Sequence, residues 1–208
     1  VLVEILNADG SMARRPQLET FAREHGLKIG SIEDLIRHRL ETEHTVERVD
    51  SRAIDTDHGA FTLHAYRDRL TRGLHYALVR GDVGGDAPVL VRVQAQNPLA
   101  DALHWRRDDF GPLVGDVLAM IAAEGRGVLV LLGDAPDAEA TLARIREQPA
   151  PPASKAGTLA QWRRTGAGSQ ILADLGLHRL RVLGTPRRQI GLAGFGLEIV
   201  EYAAVPAR

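Results

Sequence analysis

PVLVRVQAQNPLADALHWRRDDFGPLVGDVLAMIAAEGRGVLVLLG, residues 88–133, holds the pattern that decides the fold. Val89, Val91 and Val93 recur at every second position, as in a strand whose side chains alternate between two faces. A polar stretch follows, then Trp105, two arginines and two aspartates before Gly111, a composition suited to a loop that holds a ligand. From Gly111 the period changes: Val114, Val117, Leu118, Ile121 and Ala122 line one face of a helix that ends at EGRG. VLVLLG, residues 128–133, is then a continuous apolar run of the kind buried on both faces of a parallel sheet. Strand, loop, helix and buried strand together predict a βαβ-like unit.

Outward from this unit the pattern stays mixed. Phe61, Leu63 and Ala65 alternate with polar neighbours, as do Leu74, Tyr76 and Leu78, and RGDVGGD supplies turn chemistry before the strand at 88–95. Further on, DAEATLARIRE predicts a helix and QPAPPASKAG a Pro/Ala-rich linker. A helix over 168–175, a strand LRVLG, a Gly-rich segment and a strand LEIVEY complete the chain. At the other end, VLVEIL reads as a buried strand running into the turn NADG. Leu18, Phe21 and Ala22 have helical spacing after Pro16, with Gly26 as a stop. A second helix is expected from Ser31, with the stripe Ile32, Leu35, Ile36 and Leu40. The polar run RHRLETEHTVER then marks a boundary near residue 44. A chain that opens inside a strand is expected to be part of a longer polypeptide. The fold class is α/β (α+β mixed), a mixed sheet with flanking helices preceded by a strand–helix–helix unit.

Composition narrows the chemistry. At 208 residues, 44% hydrophobic and 25% charged, the chain is long enough for one large domain or a medium one with an appendage. A net charge of -1 gives no basic field to attract nucleic acid. No apolar run reaches the roughly 20 residues that span a bilayer, and neither the start nor the composition suggests export, so a cytoplasmic protein is expected. With no cysteine, disulfides, thiolate catalysis and cysteine-ligated zinc are all excluded.

Among motifs, GxxxxGK[ST], HExxH and GxSxG do not occur, and the eight histidines show no short paired spacing. His104, Asp108 and Asp109 are close enough in sequence to hold a hard cation together, although acids in an arginine-flanked loop ordinarily form solvated surface. Arginine pairs stand at 106–107, 163–164 and 187–188, where guanidinium forks and free N–H groups suit a phosphate. RRTGAGSQIL, residues 163–172, reads as a Gly-rich approach to a helix start.

Residues 1–44 carry E-I-L-N-A-D-G-S-M-A-R-R-P and, later, F-A-R-E-H-G-L-K-I-G-S-I-E-D-L-I. They resemble the C-terminal end of 3,4-dihydroxy-2-butanone 4-phosphate synthase, an enzyme that makes the four-carbon precursor of riboflavin with magnesium. The resemblance places Glu4 at that family's catalytic glutamate, while its other acids, metal ligand and most phosphate contacts belong to an upstream part. Residues 45–208 resemble GTP cyclohydrolase II, through PVLVRV, IAAEGRGVLVLL, GAGSQILADLG, LRVLGTPRR and GFGLEIVE.

That family opens the guanine ring with a zinc-activated water, the zinc held by cysteines in a HSEC…CDCG pattern. Here RVQAQN and RDDFG stand in those places, so Asn97, Asp108 and Phe110 replace the three cysteines. Phe cannot ligate, and amide or carboxylate oxygen binds zinc less well than thiolate. The family's QEGRGIGL is replaced by GDAPDAEA, and its D-x-R-D-Y-G-x-G by QWRRTGAG. Gln161 thereby replaces the catalytic acid, while Arg163 keeps the place of the arginine implicated in attack on the α-phosphate. The resemblance implies a riboflavin-pathway fusion whose cyclohydrolase-like domain lacks zinc and ring-opening activity. A phosphate or nucleotide is expected at Arg92, Arg163, Gly166, Gly168, Thr185 and Arg188. Expected partners are an upstream synthase domain and a second copy of the chain, with no nucleic acid or membrane. The alternative is a working cyclohydrolase with a hard cation on His104, Asp108 and Asp109; a third reading is a scaffold that binds nothing.

Overall fold

In the computed structural model, the residues described are 3–30, 34–35, 38–39, 43–107, 110–133, 138–146, 155–186 and 192–204. The chain divides into two units, Val1–Arg39 and Leu40–Arg208.

The larger unit is organised around two parallel neighbours, β4 (Val89–Ala95) and β5 (Gly127–Leu132), with Val91 opposite Val128 and Val93 opposite Val130. The helix expected between them is present as α3 (Val114–Glu124), and a short helix α2 (Pro98–Asp101) precedes it in the loop. Around this centre a seven-stranded sheet runs in the order β1-β2-β3-β5-β4-β6-β7. β1 (Val46–Thr56), β2 (Gly59–Asp68) and β3 (Leu74–Arg80) form an antiparallel meander, and β3 pairs antiparallel with β5. β6 (Arg179–Leu183) and β7 (Glu198–Ala203) continue the parallel side. The apolar run is therefore central, as expected, but only one of its two neighbours is parallel.

Alternation along β5 explains the two layers of helix. Val128, Val130 and Leu132 face one core, which includes Val91, Ala167, Ile171 and Leu172. Leu129 faces the other with Leu90, Val117, Leu118 and Ile121 of α3. Each of these aliphatic side chains contributes about 1.5–3 kcal/mol on full burial, so a strand apolar at every position is stable only between two covered faces. β1 is the opposite case. Its interior positions are almost all exposed, and it forms an edge strand with a bulge between Arg48 and Asp50.

After α4 (Ala138–Ile145), where DAEATLARIRE predicted a helix, the first core's helix, α5, corrects the sequence reading. It runs unbroken over Lys155–Asp174, so RRTGAG is helix interior and not a loop before a helix start at 168. Gly166 and Gly168 are buried, and interior N–H groups of an α-helix are already bonded to carbonyls one turn back. They cannot cradle a phosphate. Gly168 serves packing instead: a Cβ there would lie 2.8 Å from Cγ1 of Val93, so only glycine lets the helix approach β4 so closely. The proposed linker 148–157 lies largely outside the described residues, apart from Lys155–Gly157, which are helical.

In the smaller unit, α1 spans Arg15–Glu24, with Pro16 in its first turn and the Gln17 side chain accepting the Arg14 N–H at 3.1 Å. The expected strand over 1–6 reduces, among the described residues, to one bridge between Leu6 and Met12. Val3 is 82% exposed. Asp34, Leu35, His38 and Arg39 are helical, while Ser31, Ile32, Ile36 and Leu40 lie outside the described residues.

Side chains from α5 also hold the meander. Asp174 accepts from the Tyr66 hydroxyl at 2.7 Å and pairs with Arg48 at 2.9 Å. Burial, the bond to Asp174 and its charge push the Tyr66 phenol well above its ordinary pKa. His64, bonded to Ser51 Oγ at 2.7 Å, is held below its ordinary pKa by burial and by Arg48, with Asp174 opposing.

Two outcomes follow from this packing. Gly168→Ala is expected to destabilise the protein by about 1–3 kcal/mol, because overpacking outweighs the gain of about 1 kcal/mol in helix propensity. Adding Val93→Ala should recover part of that loss in urea unfolding, and a double variant no better than the sum of its parts would refute the contact. The His64 contribution is present above histidine's ordinary pKa and lost as pH falls through the depressed folded value. Wild type should therefore lose more stability than His64→Gln between about pH 7.5 and pH 5.5; equal losses would show that His64 is not responsible.

Candidate functional site

Sequence reading placed the candidate chemistry in the loop after β4. The strand ends at Ala95, and the Gln96 N–H donates to the Leu132 carbonyl at 3.0 Å, so the loop leaves from beside the end of β5. Asn97 is the N-cap position of α2, followed by Pro98 at its start. Asp101 closes the loop. Its Oδ2 accepts the Asn97 N–H at 3.1 Å and its Oδ1 accepts the Val114 N–H, where α3 begins, at 3.3 Å. One carboxylate thus pins both ends, and a charged acceptor at the start of α3 is favoured by the helix dipole. Arg106 adds a second tie, to Asp116 on α3 at 3.0 Å.

Inside the loop the side chains pack against each other. Trp105 and Phe110 meet edge to face with centroids 5.5 Å apart. Arg107 lies over both rings, 5.4 Å from Trp105 and 5.5 Å from Phe110. These are aromatic and cation–π contacts of about 0.5–1.5 kcal/mol each. His104 is exposed, with a positive φ of 54°.

Arg92 supports the loop from within the sheet. Its Nη1 donates to the Leu183 carbonyl at the end of β6 at 2.8 Å, and Nε donates to Gln94 at 3.1 Å. The guanidinium fits between two glycine backbones: a Cβ on Gly111 would stand 3.1 Å from Nη2, and one on Gly184 would stand 2.7 Å from Nη1. Both glycines have positive φ, 75° and 138°, so sterics and backbone conformation select the same residue. Arg92 therefore joins β4, the loop's closing Gly111 and the turn after β6, next to the exposed Thr185.

The structure brings Arg92, Gly111, Gly184 and, by chain neighbourhood, Thr185 together beside the end of β6. Asn97 and Phe110 share the loop. Arg163 is exposed on α5, with no ion-pair partner among the described residues. Gly166 and Gly168 are inside that helix, as described above. Glu4 is exposed in the smaller unit. Asp108, Asp109 and Arg188 lie outside the described residues, and no group of three or more metal-ligating His, Asp or Glu side chains occurs among those described. Sequence reading missed Asp101 as the loop's anchor. The signal was there in N-P-L-A-D, a capping residue, proline and acid in the first turn of a helix.

An α/β domain with a two-sided mixed sheet and its main loop at the carboxyl ends of parallel strands is the class defined by this geometry. Comparison with known proteins makes it specific. A model of the GTP cyclohydrolase II family matches residues 47–204, and one of 3,4-dihydroxy-2-butanone 4-phosphate synthase matches residues 1–38. The chain belongs to the GTP cyclohydrolase II family and carries a stretch of the synthase in front of it, as in the fusions of riboflavin biosynthesis. It is 42% identical over 210 residues to a 3,4-dihydroxy-2-butanone 4-phosphate synthase of Pseudomonas syringae pv. tomato, covering 99% of this chain and 56% of the relative. To the riboflavin biosynthesis protein RibBA of Bacillus subtilis it is 39% identical, covering 97% of this chain and 53% of that protein. Among solved structures it is similar to RibBX, a two-domain 3,4-dihydroxy-2-butanone 4-phosphate synthase from A. baumannii, with 36% identity and a TM-score of 0.65 over 98% of this chain and 53% of that one. The chain spans about half the length of the curated relatives it matches. Among the described residues no helix is long and apolar enough to cross a membrane.

The zinc implied by the family does not fit the residues present. Asn97 offers a neutral amide, and Phe110 offers an aromatic ring already packed on Trp105 and Arg107.

Asp101→Ala removes the acceptor for both loop ends and is expected to lower stability by about 1–3 kcal/mol. It should also raise proteolytic sensitivity within 97–113; unchanged cleavage would show that the loop is held elsewhere.

Proposed function

We propose that residues 45–208 are a cyclohydrolase II-like domain that has lost zinc-dependent ring opening and serves a riboflavin-pathway polypeptide as a phosphate- or nucleotide-binding module. The observation that carries this reading is Phe110, at the position of a zinc ligand, packed edge to face on Trp105 with Arg107 over both rings. A side chain without a donor cannot hold zinc, and zinc in this family activates the attacking water. Gln161 removes the acid as well, because an amide does not exchange a proton near neutral pH.

Binding is the part of the chemistry the residues can still support. Arg163 stands exposed on α5 and offers a guanidinium fork for phosphate oxygens. Arg92 is committed to Leu183 and Gln94, so we assign it to holding the site's framework and not to direct ligand contact. The synthase reaction, with magnesium, would belong to the whole polypeptide, with Glu4 as one of its residues. We further propose a cytoplasmic protein that works as a homodimer.

Zinc analysis and GTP turnover test the loss of activity. The purified chain is expected to hold far less than one zinc and to release no formate from GTP; stoichiometric zinc with formate release would refute the reading. Calorimetry tests the binding. GTP should give a saturable heat that falls at least tenfold in affinity in Arg163→Ala, the loss of about 1.4 kcal/mol expected for one charge-assisted contact. No heat would favour a scaffold that binds nothing.

A further inference from the structure

A histidine and an aspartate are buried together where β5 runs out. His75 on β3 is 1% exposed, and Asp68, the last residue of β2, is 4% exposed. The Gly133 N–H donates to Nδ1 of His75 at 3.0 Å. A backbone N–H can only donate, so Nδ1 holds a lone pair and the proton of the neutral ring sits on Nε2. Among the described residues that Nε2 has no hydrogen-bond partner, although it is buried. It stands 3.6 Å from Oδ2 of Asp68, beyond hydrogen-bond reach.

Both neighbours of the ring belong to closely fitted backbone. Oδ1 of Asp68 accepts the N–H groups of Leu70 at 2.6 Å and Thr71 at 3.2 Å, in a turn that carries Arg72 at a φ of 59°. Gly133 passes so near β3 that a Cβ on it would overlap the Leu74 carbonyl. The charge that the ring meets is that of Asp68. Tyr66, opposite His75 on β2, keeps its hydroxyl on Asp174. Arg69 and Arg72 of the turn are exposed, and Arg69 is paired with Glu47. Leu131, Leu132 and Gly133 bring no charge from β5, nor do Ala167, Ile171 and Leu172 of α5, which join the core on this face.

We propose that His75 is an acid-operated switch on the carboxyl end of β5, bonded to Gly133 when neutral and to Asp68 when charged. Protonation puts a hydrogen on Nδ1. Two donors, that N–H and the Gly133 N–H, then face each other, and the bond between them is lost. The imidazolium has its counter-charge in Asp68, and closing the gap by about 0.8 Å gives a charge-assisted bond of ordinary length. One buried ring thus exchanges a backbone partner for a carboxylate. Gly133 follows Leu132, whose carbonyl takes the Gln96 N–H, so the released strand end is also the end from which the loop after β4 leaves. The switch needs no ligand and is independent of the binding reading above.

Nitrogen-15 NMR of the ring and amide exchange on the full chain test it in one titration from pH 8 to pH 5, the interval in which imidazole ordinarily changes charge. At pH 8 the ring is expected in the Nε2–H tautomer. As it protonates, protection at Gly133, corrected for the intrinsic pH dependence of exchange, should fall roughly tenfold, the measure of one hydrogen bond. Protection at Leu129, in the middle of the same strand, should be kept. In His75→Gln, whose amide can accept but not titrate, Gly133 protection should stay level over the same range. An Nδ1–H tautomer at pH 8 overturns the switch, as does a ring that stays neutral to pH 5. Protonation with unchanged Gly133 protection overturns it too, and so does a fall shared equally by Leu129, which reports unfolding. The wild-type titration decides even if His75→Gln does not fold.

Discussion

The contact between Gly168 and Val93 is the constraint on which the larger unit depends. It brings a 20-residue helix onto the parallel side of the sheet at a distance that no side chain at that position would permit. With α5 seated there, Ala167, Ile171 and Leu172 reach the core formed by Val91, Val128 and Val130. The polar residues on the same stretch reach outward from that seat: Gln170 to the start of β1, and Asp174 to Tyr66 and Arg48. Close backbone approach, apolar burial and buried polar bonds therefore depend on one another. A helix displaced by an ångström would weaken all three, because buried hydrogen bonds tolerate little stretching.

The loop after β4 rests on a different kind of support. Arg92 is the link between strand, loop and the turn after β6, and glycine at 111 and 184 is the condition for its fit. The family's own pattern also ends this loop in arginine and glycine, and those two survive here as Arg107 and Gly111. What has changed is the set of groups between the anchors. The glycines and Arg92 stand where backbone geometry demands them.

Legibility in the sequence followed how strongly each segment's environment constrained its residues. α3 and β5 could be read from periodicity alone, because both are buried and burial imposes a pattern. β1 could not be placed individually: an exposed edge strand such as VERVDSRAIDT needs no alternation, only pairing with β2. α5 was misread at its start because two glycines and a Pro/Ala-rich approach mimic a loop. Tertiary packing overrode that local preference, and the glycines were there for the sheet. At the site, the resemblance alone put Asn97, Asp108 and Phe110 at metal positions. Asp101, Gln170 and the stacking of Arg107 on two rings could not be read, since they rest on contacts that no spacing rule specifies.

Metal binding is coupled to local folding, so a loop that holds a metal draws part of its order from it. A loop with no such support would be expected to fray. This one is closed by side-chain bonds and packing. Asp101 holds its two ends by charge-assisted bonds, each worth about 1.5–3 kcal/mol before the entropy of ordering is set against it. Phe110, on Trp105 and under Arg107, fills the position of a ligand with an apolar ring. The combined effect, a few kcal/mol, is enough to order a short loop and far below the roughly 10–16 kcal/mol of a structural zinc site. Closure by packing gives the loop a fixed shape that calls on no metal.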